Sequence, residues 1–139
     1  MIRITQSYLT NMLGVQLEKN EWEILYIDFA DGRRGGEGNQ GKINTCFETV
    51  FDEFPDIVAL KDKCLFIIEV DLGFKQNYED KLRKFMNKKS ELIECIQKSI
   101  SQSIDQIKIG MAFERKPKRS FQNTTIWIFN PDKDKLVQI

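Results

Sequence analysis

The chain has 139 residues, of which 41% are hydrophobic and 30% charged, a mixture typical of one folded domain rather than a disordered segment. No apolar run approaches the roughly 20 residues of a membrane span, so we expect no contact with a membrane, no secretory leader and a cytoplasmic location. The net charge is zero and histidine is absent, which excludes catalysis or metal binding through imidazole.

The first half of the chain shows helical and strand patterns separated by a glycine-rich segment. The patterns predict a helix over residues 2–17, a strand over 22–29, a loop over 31–42 and a helix over 43–54. The loop holds five of the eight glycines, so we expect it to be flexible. Pro55 ends the second helix, because proline supplies no backbone donor.

The second half alternates strands with one long helix. The predicted elements are strands over 56–60 and 65–71 with a turn at 61–63, an amphipathic helix over 78–104, and strands over 107–113 and 124–130 followed by a turn at 131–135. The tight turn predicts a hairpin, and the long helix predicts a crossover to a parallel strand. The sequence therefore predicts a single α/β domain over 1–139, with a mixed central sheet flanked by helices.

The three cysteines lie far apart and form no CxxC pair. Their positions are 46, 64 and 95. This spacing argues against a zinc ribbon and against a disulfide framework, and it favours a reducing compartment.

Acidic residues lie at the start of the first strand and at the end of the second strand of the predicted hairpin. Asp56 opens its first strand, and Glu69 and Asp71 close its second, so the hairpin places them together on one face. Three neighbouring carboxylates repel one another unless a cation neutralises them, and Mg²⁺ prefers oxygen ligands. Glu48, on the helix before Pro55, is a candidate fourth ligand. The sequence predicts a site for Mg²⁺ or Mn²⁺, which would support phosphodiester hydrolysis.

The sequence Pro55-Asp56, twelve residues and then Glu69-Val70-Asp71 resembles the PD-(D/E)xK nuclease superfamily, which includes many restriction endonucleases and junction resolvases. The resemblance covers residues 43–130. It implies a restriction-endonuclease-like core and a DNA endonuclease of restriction, repair or mobile-element type. A second likeness is local. The run EVDLG at 69–73 followed by KLRKF at 81–85 resembles the "EVDxG … KLxxY" run of plasmid replication-relaxation proteins.

Position 71 departs from the superfamily pattern, which places a lysine there. Some relatives recruit a lysine from the following helix instead, and Lys75, Lys81 and Lys84 are the candidates in this chain. We expect one of them to stabilise the charge that develops on the phosphate or to orient the attacking water. Asp71 is then an additional ligand or the mark of a lost lysine.

Basic residues suited to DNA phosphates lie in three regions of the chain. They are Arg33 and Arg34 in the glycine-rich loop, Arg83, Lys88 and Lys89 on the long helix, and Arg115, Lys116, Lys118 and Arg119 in the loop after the fourth strand. A chain of this size has little surface for reading sequence, so we also expect a homodimer or a larger protein partner.

Two other functions remain open on the sequence alone. The first is a catalytically degenerate nuclease fold that binds DNA or protein as an accessory factor of plasmid or phage replication. The second is a nucleotide-binding protein, because residues 36–42 read G-EGNQ-GK and fit part of a phosphate-binding loop. Ile43 stands where that motif requires the Ser or Thr that binds Mg²⁺.

Overall fold

The computed structural model describes residues 3–28, 34–35 and 39–139, with the backbone alone at 34 and 35. These residues form the helices α1 (Gln6–Lys19), α2 (Gln40–Val50), α3 (Gln76–Asn87) and α4 (Lys89–Ile100). Thr5 caps α1, because its hydroxyl accepts a 3.1 Å hydrogen bond from the backbone of Tyr8. None of the helices in this part of the chain combines the length and apolar composition that crossing a membrane requires.

The strands form one mixed sheet. They are β1 (Glu23–Asp28), β2 (Arg34–Gly35), β3 (Ile57–Lys61), β4 (Cys64–Asp71), β5 (Gln106–Phe113), β6 (Thr124–Asn130) and β7 (Lys135–Gln138). Their order across the sheet is β2-β1-β3-β4-β5-β6-β7. Strands β4, β5 and β6 run parallel, and the other neighbours run antiparallel. The predicted α/β class with a mixed sheet is confirmed.

Helices cover both faces of the sheet. Along β4, Leu65 and Ile67 belong to the core under α2, α3 and α4, whereas Phe66 and Ile68 belong to the core under α1. This alternation follows from the two-residue period of a strand. It explains why β4 reads as a continuous apolar run, which is typical of a central strand covered on both sides.

The hairpin predicted at residues 56–71 is confirmed. Strand β3 pairs antiparallel with β4, and Ile57 lies opposite Ile68. The turn residues Asp62 and Lys63 have φ values of 50° and 65°, the left-handed conformation that two-residue hairpin turns favour.

Three other predictions on the elements need correction. The helix predicted over 78–104 is interrupted at Lys88, whose φ of −117° and ψ of 30° separate α3 from α4. The predicted loop over 31–42 is not wholly a loop, because it contains β2 and the first turn of α2; positions 31–33 and 36–38 lie outside the described residues. Strand β7, which pairs with β6 at the sheet edge, was not predicted.

The expectation that the cysteines form no disulfide is wrong. Cys46 on α2 and Cys95 on α4 are joined by a disulfide, and Cys64 is free and buried. The two helices pack against each other, which brings together cysteines 49 residues apart. The pairing depends on this tertiary contact, so the spacing along the chain did not predict it.

Candidate functional site

The acidic residues of the hairpin continue into a row that crosses three strands. Because Ile57 lies opposite Ile68, Asp56 and Glu69 are the next opposed pair. The backbone N–H of Asp28 donates to the carbonyl of Asp56 at 2.8 Å, which places the end of β1 beside the start of β3. Asp28 at the end of β1, Asp56 directly before β3 and Glu69 on β4 therefore stand side by side.

Hydrogen bonds to the backbone fix the side chains of Asp56 and Glu69. Glu69 Oε2 accepts from the N–H of Asp56 at 3.1 Å, and Asp56 Oδ2 accepts from the N–H of Val70 at 2.7 Å. Glu69 is only 3% exposed. The structure thus brings these two predicted site residues together in one fixed arrangement, the Asp56–Glu69 pair.

Of the three candidate lysines, Lys81 reaches this pair. Its Nζ lies 2.8 Å from Glu69 Oε1, and its side chain is 22% exposed. Lys75 lies before the first residue of α3 and contacts Asp71 at 3.8 Å. Lys84, one turn beyond Lys81, pairs with Glu53 at 3.4 Å. Of the three candidate lysines, Lys81 is therefore the one that contacts the Asp56–Glu69 pair.

Burial perturbs both carboxyl groups, and charge repulsion adds to its effect at Asp56. Burial is the largest cause that raises the pKa of Asp56, from 3.8 to about 8, and the charges of Glu69 and Asp28 raise it further. Burial also raises the pKa of Glu69, although the ammonium of Lys81 opposes this effect. At neutral pH the pair therefore favours a bound proton or another cation over two free negative charges.

Asp71 has different partners from the Asp56–Glu69 pair. Its carboxylate accepts a hydrogen bond from the hydroxyl of Tyr78, and it accepts another from its neighbour's backbone N–H. Burial, followed by this bond with Asp71, raises the pKa of Tyr78. The charges of Glu69 and Asp56 also raise that pKa.

The structure does not bring Glu48 to the pair. Its side chain is exposed on α2, and the neighbouring carboxylates that raise the pKa of Asp56 are Glu69 and Asp28. Among residues 3–28 and 39–139, no three carboxylate or thiol groups lie close enough together to hold a metal ion. The expectation of three or four protein ligands around one ion is therefore not met.

The Asp56–Glu69 pair still fits a hydrated cation. Mg²⁺ commonly keeps several waters and binds through one or two carboxylates together with substrate oxygens. Each carboxylate has about four acceptor positions, so the bonds with Val70, Lys81 and the Asp56 backbone leave capacity for a cation. Asp56 and Glu69 are the residues that would hold it.

Basic side chains also lie at the end of the sheet where β4 and β5 finish. Because β4 and β5 run parallel, the loop after β5 emerges beside the end of β4, and the N–H of Arg115 donates to the carbonyl of Leu72 at 3.0 Å. The guanidinium of Arg115 crosses Gly73, where a β-carbon would stand 2.6 Å from Nη2. Lys116 and Lys118 are exposed in the same loop.

Arg119 is oriented toward α3 by several contacts. Its guanidinium lies 3.1 Å from Glu79 Oε2 and 4.7 Å from the ring centre of Phe121. Arg83 also pairs with Glu79, at 3.5 Å. The carboxylate of Glu79 therefore pairs with both guanidinium groups. Because it carries a single negative charge, the two positive charges are not fully neutralised.

The other predicted basic residues are not placed at this end of the sheet. Lys88 and Lys89 are exposed where α3 ends and α4 begins, about 18 Å along the helix axis from the first residue of α3. Arg33 and the side chain of Arg34 lie outside the described residues. Their contribution to DNA binding stays a prediction.

The geometry gives little support to the nucleotide-binding alternative. Strand β1 pairs antiparallel with both of its neighbours, whereas mononucleotide-binding units join parallel strands through a helix. Gly41 and Lys42 lie in the first turn of α2, and Gln40 uses its side chain to bond the backbone of Ile27. Residues 36–38 of the motif lie outside the described part of the chain.

Asp28 and Tyr78 are the residues that the sequence interpretation missed. Asp28 follows an apolar strand in the same way as Glu69 does, and placing β1 beside β3 would have identified it. Tyr78 was counted only as an apolar position of a helix. Its spacing of three residues from Lys81 indicates that both lie on one helical face.

No family model matches this chain, and no curated protein or solved structure matches it either.

Proposed function

We propose that this protein is a DNA endonuclease that hydrolyses phosphodiester bonds with Mg²⁺ or Mn²⁺ bound by Asp56 and Glu69. The observation that carries the proposal is the Asp56–Glu69 pair, two fixed and largely buried carboxylates with the ammonium of Lys81 at 2.8 Å. The cation, when bound, would polarise the phosphate and lower the pKa of a coordinated water.

The residues around the pair have separate roles. Lys81, whose Nζ lies 2.8 Å from Glu69, would offset the negative charge that develops on the phosphate oxygens. Tyr78 donates a hydrogen bond to the carboxylate of Asp71 and would hold that side chain in place. Hydrolysis adds water across one P–O bond, which leaves a phosphate on one end and a hydroxyl on the other.

The basic residues that follow β4 and β5 support DNA as the substrate. Arg115, Lys116, Lys118 and Lys75 are exposed in the segments that follow β4 and β5, where they could contact the phosphates of a bound strand. Such contacts position a strand without reading its sequence. Sequence readout would require a second copy of the chain or a larger protein partner. The Cys46–Cys95 disulfide is uncommon in the cytoplasm, so it counts against the cytoplasmic location expected from the sequence.

The test is a cleavage assay on linear, nicked and branched DNA with Mg²⁺, Mn²⁺ or EDTA. We expect metal-dependent cleavage that falls at least about 100-fold in Asp56→Asn and Glu69→Gln, and a comparable loss in Lys81→Met. Glu94 and Lys98 form an exposed ion pair at 3.0 Å, so Glu94→Gln and Lys98→Met are matched controls and should retain activity. Cleavage retained in both carboxylate variants would refute the proposal.

One observation favours a second candidate, a DNA- or protein-binding accessory factor without catalysis. Within the described residues no third ligand completes a metal site, and Lys81 already neutralises one carboxylate of the pair. DNA binding in the same samples without cleavage under any metal condition would support this alternative.

A further inference from the structure

The Cys46–Cys95 disulfide joins α2 to α4 and closes a ring of chain that contains the candidate site. The ring runs from residue 46 to residue 95, so it includes Asp56, Glu69 and Lys81. The bond itself has no role in the proposed hydrolysis. Disulfides are uncommon in a reducing compartment, and those that form there are usually catalytic or redox-sensing. Its role therefore depends on whether it can open and close in the folded protein.

The two cysteines of the bond differ in exposure. Cys46 is 1% exposed, whereas Cys95 is half-buried. Exchange begins when a thiolate attacks an accessible sulfur, so a dithiol reductant would bond to Cys95 and release Cys46 as a thiolate, which then takes up a proton. The second thiol of the reductant displaces Cys95 from the mixed disulfide. The products are two protein thiols and the cyclised, oxidised reductant, which has given up two electrons and two protons.

Ser99 provides a hydrogen-bond partner for the reduced form of Cys46. Its Oγ lies 3.5 Å from Cys46 Sγ, and its hydroxyl donates to the carbonyl of Cys95 at 2.8 Å. In the disulfide, Cys46 has no proton to donate, and the proton of Ser99 is already engaged. After reduction, the thiol of Cys46 can donate to the Ser99 oxygen. This contact becomes a hydrogen bond only in the reduced protein, so both redox states are accommodated.

Helix α2 has little stability of its own. It has 11 residues, whereas an isolated helix needs about 12–15. Lys42 lies in its first turn and Glu48 in its last turn, and the helix dipole disfavours both placements. Its buried side chains are those of Ile43, Cys46 and Phe47. The covalent bond to α4 is therefore a large part of what holds α2 in place, and reduction would let this helix open locally more often.

Helix α2 also supports the end of β1, next to the Asp56–Glu69 pair. The side chain of Gln40, the first residue of α2, accepts from the N–H of Ile27 at 3.1 Å and donates to its carbonyl at 3.4 Å. The next residue of β1, Asp28, donates its N–H to the carbonyl of Asp56 at 2.8 Å. Opening of α2 would remove the first of these contacts and with it the support for the strand end that aligns Asp56.

We propose that the Cys46–Cys95 disulfide is a reversible redox switch. A dithiol reductant opens it at Cys95, α2 is released from α4, and activity at the Asp56–Glu69 pair falls. The effect on activity rests on the proposed function, whereas the release of α2 does not. Exchange with a disulfide such as oxidised glutathione runs through the same mixed disulfide in reverse and restores the bond.

The test compares the oxidised protein with the protein reduced by dithiothreitol in EDTA and without denaturant. After the reductant is removed, alkylation of the unfolded chain and mass spectrometry should find one thiol in the oxidised form, Cys64, and three in the reduced form. We expect reduction within about one hour and recovery of the bond with oxidised glutathione. Amide hydrogen exchange in α2 should be at least about tenfold faster in the reduced form, while exchange in β4 stays unchanged.

Ser99→Ala removes the acceptor for the Cys46 thiol. At a fixed ratio of reduced to oxidised glutathione, it should shift the balance toward the disulfide by about threefold. Ser103→Ala is the matched control, because Ser103 is exposed in the segment between α4 and β5. A bond that dithiothreitol opens only after unfolding, or equal exchange of α2 in the two forms, would overturn the inference.

Cleavage assays on the two forms separate this inference from the proposed function. With Mg²⁺ we expect cleavage to fall about tenfold on reduction and to recover on reoxidation. Equal cleavage by both forms would overturn the regulation of the site. Cleavage by neither form would refute the proposed function, and the exchange of α2 would then decide whether the switch exists.

Discussion

For the Asp56–Glu69 pair we predict an unusual dependence of the free energy of unfolding on pH. The pKa of Asp56 rises from 3.8 to about 8 on folding, so the folded protein holds a proton that the unfolded chain releases. Stability is therefore fully present below about pH 4 and is lost as the pH rises through about 8. A difference of this size corresponds to about 6 kcal/mol, which belongs to the coupled pair rather than to Asp56 alone.

Asp56→Asn removes the titrating group and keeps an oxygen that accepts from the N–H of Val70. We expect the variant to match the native protein at pH 4 within about 1 kcal/mol and to exceed its stability at pH 9 by about 2 kcal/mol or more. Urea unfolding followed by circular dichroism in EDTA at several pH values measures both quantities. Asp132→Asn, in the exposed turn between β6 and β7, is the control. An Asp56→Asn variant with the same pH dependence as the native protein would refute the reasoning.

Three further predictions concern the same fold. Lys81→Met leaves the buried carboxylate of Glu69 without its ammonium and should lower the free energy of unfolding at pH 8 by about 3 kcal/mol in urea titrations. Replacing Cys46 and Cys95 by alanine opens a loop of 49 residues and should cost about 4 kcal/mol, and an unchanged urea midpoint would contradict the disulfide. Gly110→Ala should cost about 2 kcal/mol by calorimetry, because a β-carbon there would stand 2.9 Å from two aromatic rings.

The sequence predicted the main parts of the site because they depend on local rules. A two-residue turn sets the register of a hairpin, and the register places Asp56 opposite Glu69 without reference to the rest of the fold. The apolar run of β4 predicted a central strand, because that pattern is also local to the sequence. The strand over 124–130 was predicted with its observed bounds, and the element bounds that differ are off by one to four residues, since helix and strand ends depend on contacts beyond them.

The remaining features depend on tertiary packing. Sequence alone left Lys75, Lys81 and Lys84 as equal candidates, because the choice depends on where α3 begins and on how it crosses the sheet. The Cys46–Cys95 disulfide requires α2 to pack on α4. The break at Lys88 has no glycine or proline to signal it.

The most direct test of the central claim is a calorimetric titration with Mn²⁺ at pH 8, which measures whether Asp56 and Glu69 bind a cation jointly. The account predicts binding of one ion per chain by the native protein and by Glu94→Gln, and no binding by Glu69→Gln. The same binding heat in Glu69→Gln, or none in the native protein, would contradict it.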